Sequence, residues 1–449
     1  MAYKTFRLLT AVFVLIITQA SFAQYPSWAK KASSSIFKIT TFTAEGNEIG
    51  SASGFYIDDN QGVAPYTIFD GAASALVVDA SGKELKVESM VAANDIYDIA
   101  RFNIPGGKAS PLTVATTNQP AEKDKVWTLL YAKKSVNGVQ GEVEKAEKFR
   151  DTYNYFTIAY PTKMTEVGSP VFNSEGEVIG MLQMGATSYD ENNYAISAEF
   201  IKNQSLSGFS VNDKALQRIN IKTALPDAEE QAFLFLTLAG SSMKGEKYRA
   251  VVDDFIAKFP KSADGYAALA RAYTDENKYD EALSEYERAY SLNPQQIYKN
   301  QESKMYIDKA LWHFGKQEYR DAVMAMNSAE QLVADTLDDA FYFTREQAEV
   351  RCRMYQQALS DLDSAICKSR KNETYMAEKA RVHYLVSQFD EGIKTCETCI
   401  EKAPDYDVVH LILGLCYIGK GEKEKGLESI RKAQELGNAQ AASLIEKYQ

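Results

Sequence analysis

Two periodicities divide the chain. From residue 30 to about 205, apolar residues come in short runs, several alternating with polar ones, as in Ser35-Ile36-Phe37-Lys38-Ile39-Thr40. A period of two rich in β-branched residues predicts strands. Similar runs recur at Gly54–Ile57, Ala75–Val78, Leu85–Val91, Ala100–Ile104, Val126–Tyr131, Tyr155–Tyr160 and Val178–Met184. Turn residues separate them: Asp58-Asp59-Asn60, Ser81-Gly82, Pro105-Gly106-Gly107 and Ser174-Glu175-Gly176. Many short strands joined by turns predict an all-β barrel or sandwich, and the pattern alone leaves open which. From about residue 226 the period becomes helical, with an apolar residue every third or fourth position.

The helical half also repeats itself. Its clearest unit is Tyr266, Leu269, Ala270, Tyr273, Ala282, Tyr286, Ala289 and Pro294. Large and small residues there would interlock two antiparallel helices, with the proline ending the second. That spacing resembles the tetratricopeptide repeat. Tyr306, Ala310, Ala322 and Ala329 form a second unit, Met376, Ala380, Phe389, Gly392 and Pro404 another, and Leu413, Gly414, Tyr417, Gly426 and Ala433 the last. Between them, Tyr342, Tyr355, Ala358, Leu362 and Ala365 match only a second helix, because Glu346 stands where a small residue is expected. An irregular first unit spans roughly 228–260, and residues 438–448 read as a closing helix. The resemblance implies an all-α solenoid over 226–449, with residues 208–225 as a linker or packed connection.

Charge and composition narrow the possibilities. Apolar residues make up 45% and charged residues 25%, as in soluble globular proteins, and the formal net charge is −11. That balance excludes nucleic acid as the main partner, because phosphate binding on that scale needs clustered Lys and Arg. Residues 1–23 read as an export signal: Lys4 and Arg7, the apolar run Leu8 to Ile17, then Ser21-Phe22-Ala23, leaving Gln24 as the mature start. No later stretch is long and apolar enough to cross a membrane. All five cysteines lie at Cys352, Cys367, Cys396, Cys399 and Cys416. An odd number is no disulfide framework, and Cys396-x-x-Cys399 has no second pair at zinc spacing, so they read as small core thiols.

Three stretches of the β-half carry a second resemblance. The first runs from Gly50-Ser51-Ala52-Ser53-Gly54-Phe55 through Val63–Ala72 to Asp98-Ile99-Ala100-Arg101-Phe102. The second is Thr165-Glu166-Val167-Gly168-Ser169-Pro170-Val171-Phe172-Asn173 with Gly176-Glu177-Val178-Ile179-Gly180. The third is Tyr194-Ala195-Ile196-Ser197. They resemble trypsin-like serine proteases of the high-temperature-requirement type, which carry G-S-G-S-G-F, T-N-x-H-V-V-x-G-A, D-L-A-V-L, G-N-S-G-G-P and F-A-I-P. The resemblance implies a trypsin-like double β-barrel over 24–207. Carried over residue by residue, the base histidine falls on Thr67, the orienting aspartate on Asp98 and the nucleophilic serine on Val167. The glycine that shapes the oxyanion hole falls on Thr165.

A serine nucleophile needs a base within hydrogen-bond reach and a carboxylate to hold that base. Val167 has no heteroatom, and Thr67 cannot accept a proton near neutral pH. The β-half contains no His and no Cys; the histidines are His313, His383 and His410, none at metal-ligand spacing. Ser169 precedes Pro170 and makes a poor shifted nucleophile, and Lys163 lacks the spacing of a Ser–Lys pair. The expectation is a pseudoprotease with no cofactor and no metal.

In stacked repeats, residues flanking the packing positions face the concave surface, which binds proteins or peptides. Arg271, Thr274, Phe314, Arg381 and Tyr384 are the candidates, and the two arginines could grip a carboxylate. Val408, Leu411, Leu415 and Ile418 are too apolar for an open groove and are expected to pack on the closing helix or another domain; His383 and His410 are expected to be partly buried. The resulting expectation is an exported, non-catalytic scaffold of a bacterial periplasm or envelope, or one released outside the cell. The rival expectations are an atypical envelope protease and a holdase-like chaperone.

Overall fold

The structure, a computed structural model, describes residues 25–161, 163–185, 192–369 and 372–449. The expected export signal lies outside the described residues. The chain falls into two compact units that divide between Ser242 and Met243.

The first unit holds thirteen strands among the described residues: β1 (Ile36–Phe42), β2 (Glu48–Asp58), β3 (Gln61–Ala64), β4 (Ser74–Val78), β5 (Glu84–Lys86), β6 (Ser89–Asn94), β7 (Ile99–Asn103), β8 (Lys125–Leu130), β9 (Asn137–Phe149), β10 (Tyr153–Ala159), β11 (Pro170–Phe172), β12 (Val178–Gln183) and β13 (Asn193–Ser197). They build a sheet in the order β5-β4-β1-β2-β3-β7-β6 and a closed barrel in the order β10-β13-β12-β11-β8-β9. Every β-pattern of the sequence falls on a strand, but Leu85–Val91 is two strands rather than one. Phe37, Tyr56, Phe69 and Phe102 fill the first core; Val143, Phe156, Ile158 and Ile179 fill the second. A third cluster joins them, with Ile36, Phe55 and Ile99 from the first sheet against Leu129, Phe172 and Ile196 from the barrel. Gly54 makes room for Phe37, because a Cβ there would overlap the Phe37 ring and crowd the Val63 carbonyl.

Residues 208–225 are a packed connection. Ala215, Leu216, Ile219 and Ile221 enter the first core, and Asn220 N–H donates to Ala72 O at 2.7 Å. Met90 N–H donates to Lys222 O and Ala224 N–H to Met90 O, both at 2.8 Å, so this segment pairs with the β6 edge. A bare strand edge would offer unpaired groups to other chains.

The second unit is helical. Among the described residues, five antiparallel pairs follow a single helix, Gly245–Lys258: Ala263–Asp275 with Tyr279–Leu292, Gln296–Gly315 with Tyr319–Val333, Asp339–Arg351 with Tyr355–Lys368, Glu373–Leu385 with Phe389–Lys402, and Asp407–Lys420 with Lys423–Glu435. Each pair turns on a left-handed residue just past its first helix: Asn277, Gln317, Arg353, Ser387 and Gly421. Such a residue ends a helix by redirecting its last carbonyls. Ala441–Tyr448 closes the array, with Leu411 and Ile418 packed against it, while Val408 packs on the cluster of Cys396, Cys399 and Cys416. His383 and His410 are buried as expected. Of the thiols, Cys396, Cys399 and Cys416 are buried, but Cys367 is exposed on its helix and is no core residue.

Candidate functional site

Thr67 sits in a short 3-10 turn, Tyr66–Ile68, that follows extended Pro65. Asp98 lies in the turn between β6 and β7 with φ of 48°, a conformation a short polar side chain tolerates better than most. That turn aims its carboxylate at the 3-10 turn. Thr67 N–H and Thr67 Oγ1–H both donate to Asp98 Oδ1 at 2.7 Å. A carboxylate therefore orients residue 67, and the group it orients is a hydroxyl.

Val167 lies in the loop entering β11. Its carbonyl accepts from Ser53 N–H at 3.1 Å, and its side chain packs against the first core beside Ile68. Gly168 follows with φ of 83°; a Cβ there would collide with the Ser53 carbonyl and with Pro65 Cδ. Segments a hundred residues apart in sequence are thus brought to one place on the seam between the two cores. Val167 N–H donates to Thr165 O at 3.0 Å, and Thr165 N–H donates to Glu166 Oε2 at 3.3 Å. Amides turned to partners inside their own loop are not aimed outward at an oxyanion, which is bound by preorganised, converging donors. Ser169 is fully buried, and Lys163 is exposed. Exposed Ile96 and Met184 flank the site: Gln183 Nε2–H donates to the Tyr97 carbonyl, and each apolar residue is one position away.

In the helical unit, Arg271 is exposed. Phe314 is half-buried, edge-on to Tyr319 at 5.4 Å, and Tyr384 is half-buried beside Phe389 at 6.0 Å. Arg381 pairs with Glu378 at 2.5 Å. Thr274 Oγ1–H donates to the Ala270 carbonyl of its own helix at 3.0 Å. Of the candidates, Arg271 presents a charged group to solvent with no ion pair among the described contacts.

Two features escaped the sequence reading. His313, Glu318 and Asp321 each place a potential ligand atom within 4.8 Å of the others. The His313 Nδ1–Glu318 Oε2 contact at 2.7 Å has a counterpart in His383 Nδ1–Gln388 Oε1 at 2.8 Å, so the pair is a repeated turn contact before it is a metal site. The second is a buried charge cluster. Arg345 forms a two-pronged pair with Asp361, both contacts at 2.7 Å, and reaches Glu330 at 2.6 Å. Beside it, Glu346 is 0% and Glu349 3% exposed, and three of their four carboxylate oxygens have no hydrogen-bond partner among the described residues. Burial, joined by the nearby Glu378 carboxylate, pushes the Glu346 carboxyl up to about 7; burial, joined by Asp361, pushes Glu349 to about 8.

Residues 52–181 match the trypsin-like peptidase domain, and residues 263–296 match the tetratricopeptide repeat. Among solved structures, the chain is similar to the Rv3671c protease from M. tuberculosis. Its active form is 18% identical, covering 38% of this chain and 80% of that one with a TM-score of 0.34. Its inactive form is 17% identical, covering 38% and 88% with a TM-score of 0.32. No curated protein matches the chain. The first unit therefore resembles a trypsin-like peptidase domain over residues 52–181, and the second a tetratricopeptide repeat over residues 263–296.

Proposed function

We propose that this chain is an exported, non-catalytic protein-binding scaffold, in which the protease-like unit docks one partner and the helical array another. The observation that carries the reading is the Thr67–Asp98 contact. Where a protease of this fold holds a base, the aspartate holds a hydroxyl whose proton points at it. Such a group cannot take a proton from a nucleophile near neutral pH. Val167 at the nucleophile position and a loop amide turned to Thr165 O support the same reading. The unit has no His or Cys to substitute for the missing groups. Exposed Ile96 and Met184 beside the site favour retention of an apolar docking surface for an extended peptide. Export to a bacterial envelope rests on Lys4, Arg7 and the apolar run that follows.

The test is crosslinked capture from the native cell envelope by the full chain, with unfolded casein and a serine-reactive fluorophosphonate as activity probes. The expected result is one specific protein, recovered less well by Arg271→Glu or Arg381→Glu, with labelling no greater than that of Val167→Ala. Cleavage of casein, or labelling above that control, would overturn the non-catalytic reading. Recovery of many unfolded proteins would replace the scaffold with a holdase.

A further inference from the structure

We propose that a lysine-lined cleft in the protease-like unit binds a compact polyanion carrying several phosphate groups. The cleft encloses about 880 Å³, within the range of small-molecule sites. Four separate segments wall it: the helix Ala29–Ser33 with Ser34, the β4–β5 turn, the connector at 108–110 between the two cores, and the β8–β9 turn. Each contributes one lysine, Lys30, Lys83, Lys108 and Lys134, and the one acid in the lining is Asp79. Four positive charges and one negative give the cleft +3, in a chain whose formal charge is −11. General attraction of anions to the molecule therefore cannot account for binding at this place.

The walls are tied together. Asp79 Oδ1 accepts from Ser81 N–H at 2.9 Å, the Ser81 Oγ–H at 2.6 Å and Lys83 N–H at 2.9 Å, which commits this carboxylate to its own turn. Lys83 Nζ donates to Gly106 O at 3.0 Å, linking the turn to the connector. Tyr131 OH donates to Asp79 O at 3.3 Å and Lys134 N–H to Ala80 O at 3.2 Å, linking it to the β8–β9 wall. Lys134 adopts a left-handed φ of 57° within that turn. Under the connector, buried Tyr56 has a hydroxyl with no hydrogen-bond partner among the described residues, close enough that a Cβ at Gly107 would lie 2.8 Å from it.

The lining chemistry selects the ligand. No arginine is present, so no planar fork is offered to a single carboxylate; ammonium groups act as point charges and suit phosphate. Cations spread over four walls fit negative charge at several points of one ligand. The Ser135 hydroxyl supplies a neutral hydrogen-bonding group among them, while the Ser33 and Ser81 hydroxyls already donate to Lys30 O and Asp79 Oδ1. None of Thr67, Asp98 or Val167 lines the cleft, so this inference does not depend on the scaffold reading.

The full chain would be titrated calorimetrically with inorganic tripolyphosphate. In parallel, it would be floated with phosphatidylcholine vesicles with and without phosphatidic acid, which separates a soluble phosphate source from a lipid headgroup. Saturable binding to either phosphate source is expected. It should weaken about tenfold or more when Lys30→Ser, Lys108→Ser and Lys134→Ser are combined. The exposed lysines Lys38, Lys125 and Lys202, changed together to Ser, give the same charge loss outside the cleft and should leave binding within about twofold. Ser135→Glu keeps every lysine and should also weaken binding, which covers failure of the triple variant to fold. No binding of either probe at millimolar phosphate, or an equal loss in the control variant, would overturn the proposal.

Discussion

The helix pair at 263–292 and the pair at 339–368 share one backbone design and opposite chemistry. In the first, Leu269, Ala270 and Tyr273 occupy the packing positions of the leading helix, and Ala270 is fully buried against Ala282 and Tyr286. In the second, Arg345, Glu346 and Glu349 occupy the equivalent positions and are at least as inaccessible to water. Both pairs fold, and both turn on a left-handed residue, Asn277 and Arg353. The second helix of the charged pair supplies the apolar part: Ala358, Leu362 and Ala365 are buried as the repeat requires. The leading helix is held by the Arg345–Asp361–Glu330 network, because a buried cation needs its partners close and hydrogen-bonded. A repeat thus tolerates an arginine at its packing positions when its own second helix and a neighbouring repeat supply the counter-charge, as Asp361 and Glu330 do here.

The comparison can be broken in three ways. The largest effect is expected from Arg345→Ala, which leaves Asp361 buried and uncompensated. About 3–5 kcal/mol of stability should be lost, read from the helical transition in urea. A loss under about 1 kcal/mol would mean that the network holds nothing together. Next is Ala270→Glu, which imports a carboxylate into the neutral pair without an arginine to meet it. It should cost about 3 kcal/mol in the same measurement, from desolvation and overpacking together.

The smallest change is a gain. Glu346→Ala with Glu349→Leu should raise stability by about 2 kcal/mol at pH 8 and by less at pH 5. Both folded carboxyls titrate well above their unfolded value of 4.5, at about 7 and about 8. The unfolded chain therefore releases these protons first. Stability falls as pH rises from the unfolded value through the folded ones, and the double variant should flatten that slope. An unchanged slope between pH 5 and 8 would mean that these carboxyls ionise freely in the folded protein.

The strands of the first unit were legible where one face is apolar and the other polar, as in β1. The long strand β9, Asn-Gly-Val-Gln-Gly-Glu-Val-Glu-Lys-Ala-Glu-Lys-Phe, was not, because glycines and charges fill both of its faces. Its strand character comes from pairing with β8 and β10 in the barrel. Glu346 stood out as an anomaly, but nothing in the sequence marks Arg345 and Glu349, since charge along a helix normally faces water. Their burial follows from register with Asp361 and Glu330, which a one-dimensional pattern does not contain. Phe314 and Tyr384 read as groove residues and are half-committed to Tyr319 and Phe389. The lysines of the cleft lie far apart in sequence and carry no motif.

By itself the sequence determined the two architectures and the groups available to each. Periodicity dictates strand or helix, and a unit without His or Cys has no imidazole or thiolate whatever its shape. The tertiary structure decided which of those groups meet. It turned Thr67 toward Asp98, bent the Val167 amide back to Thr165, folded residues 208–225 onto the β6 edge and gathered four lysines around one cleft. Composition fixes the chemistry a residue can perform; burial, pairing and charge balance depend on distances that only the folded chain sets.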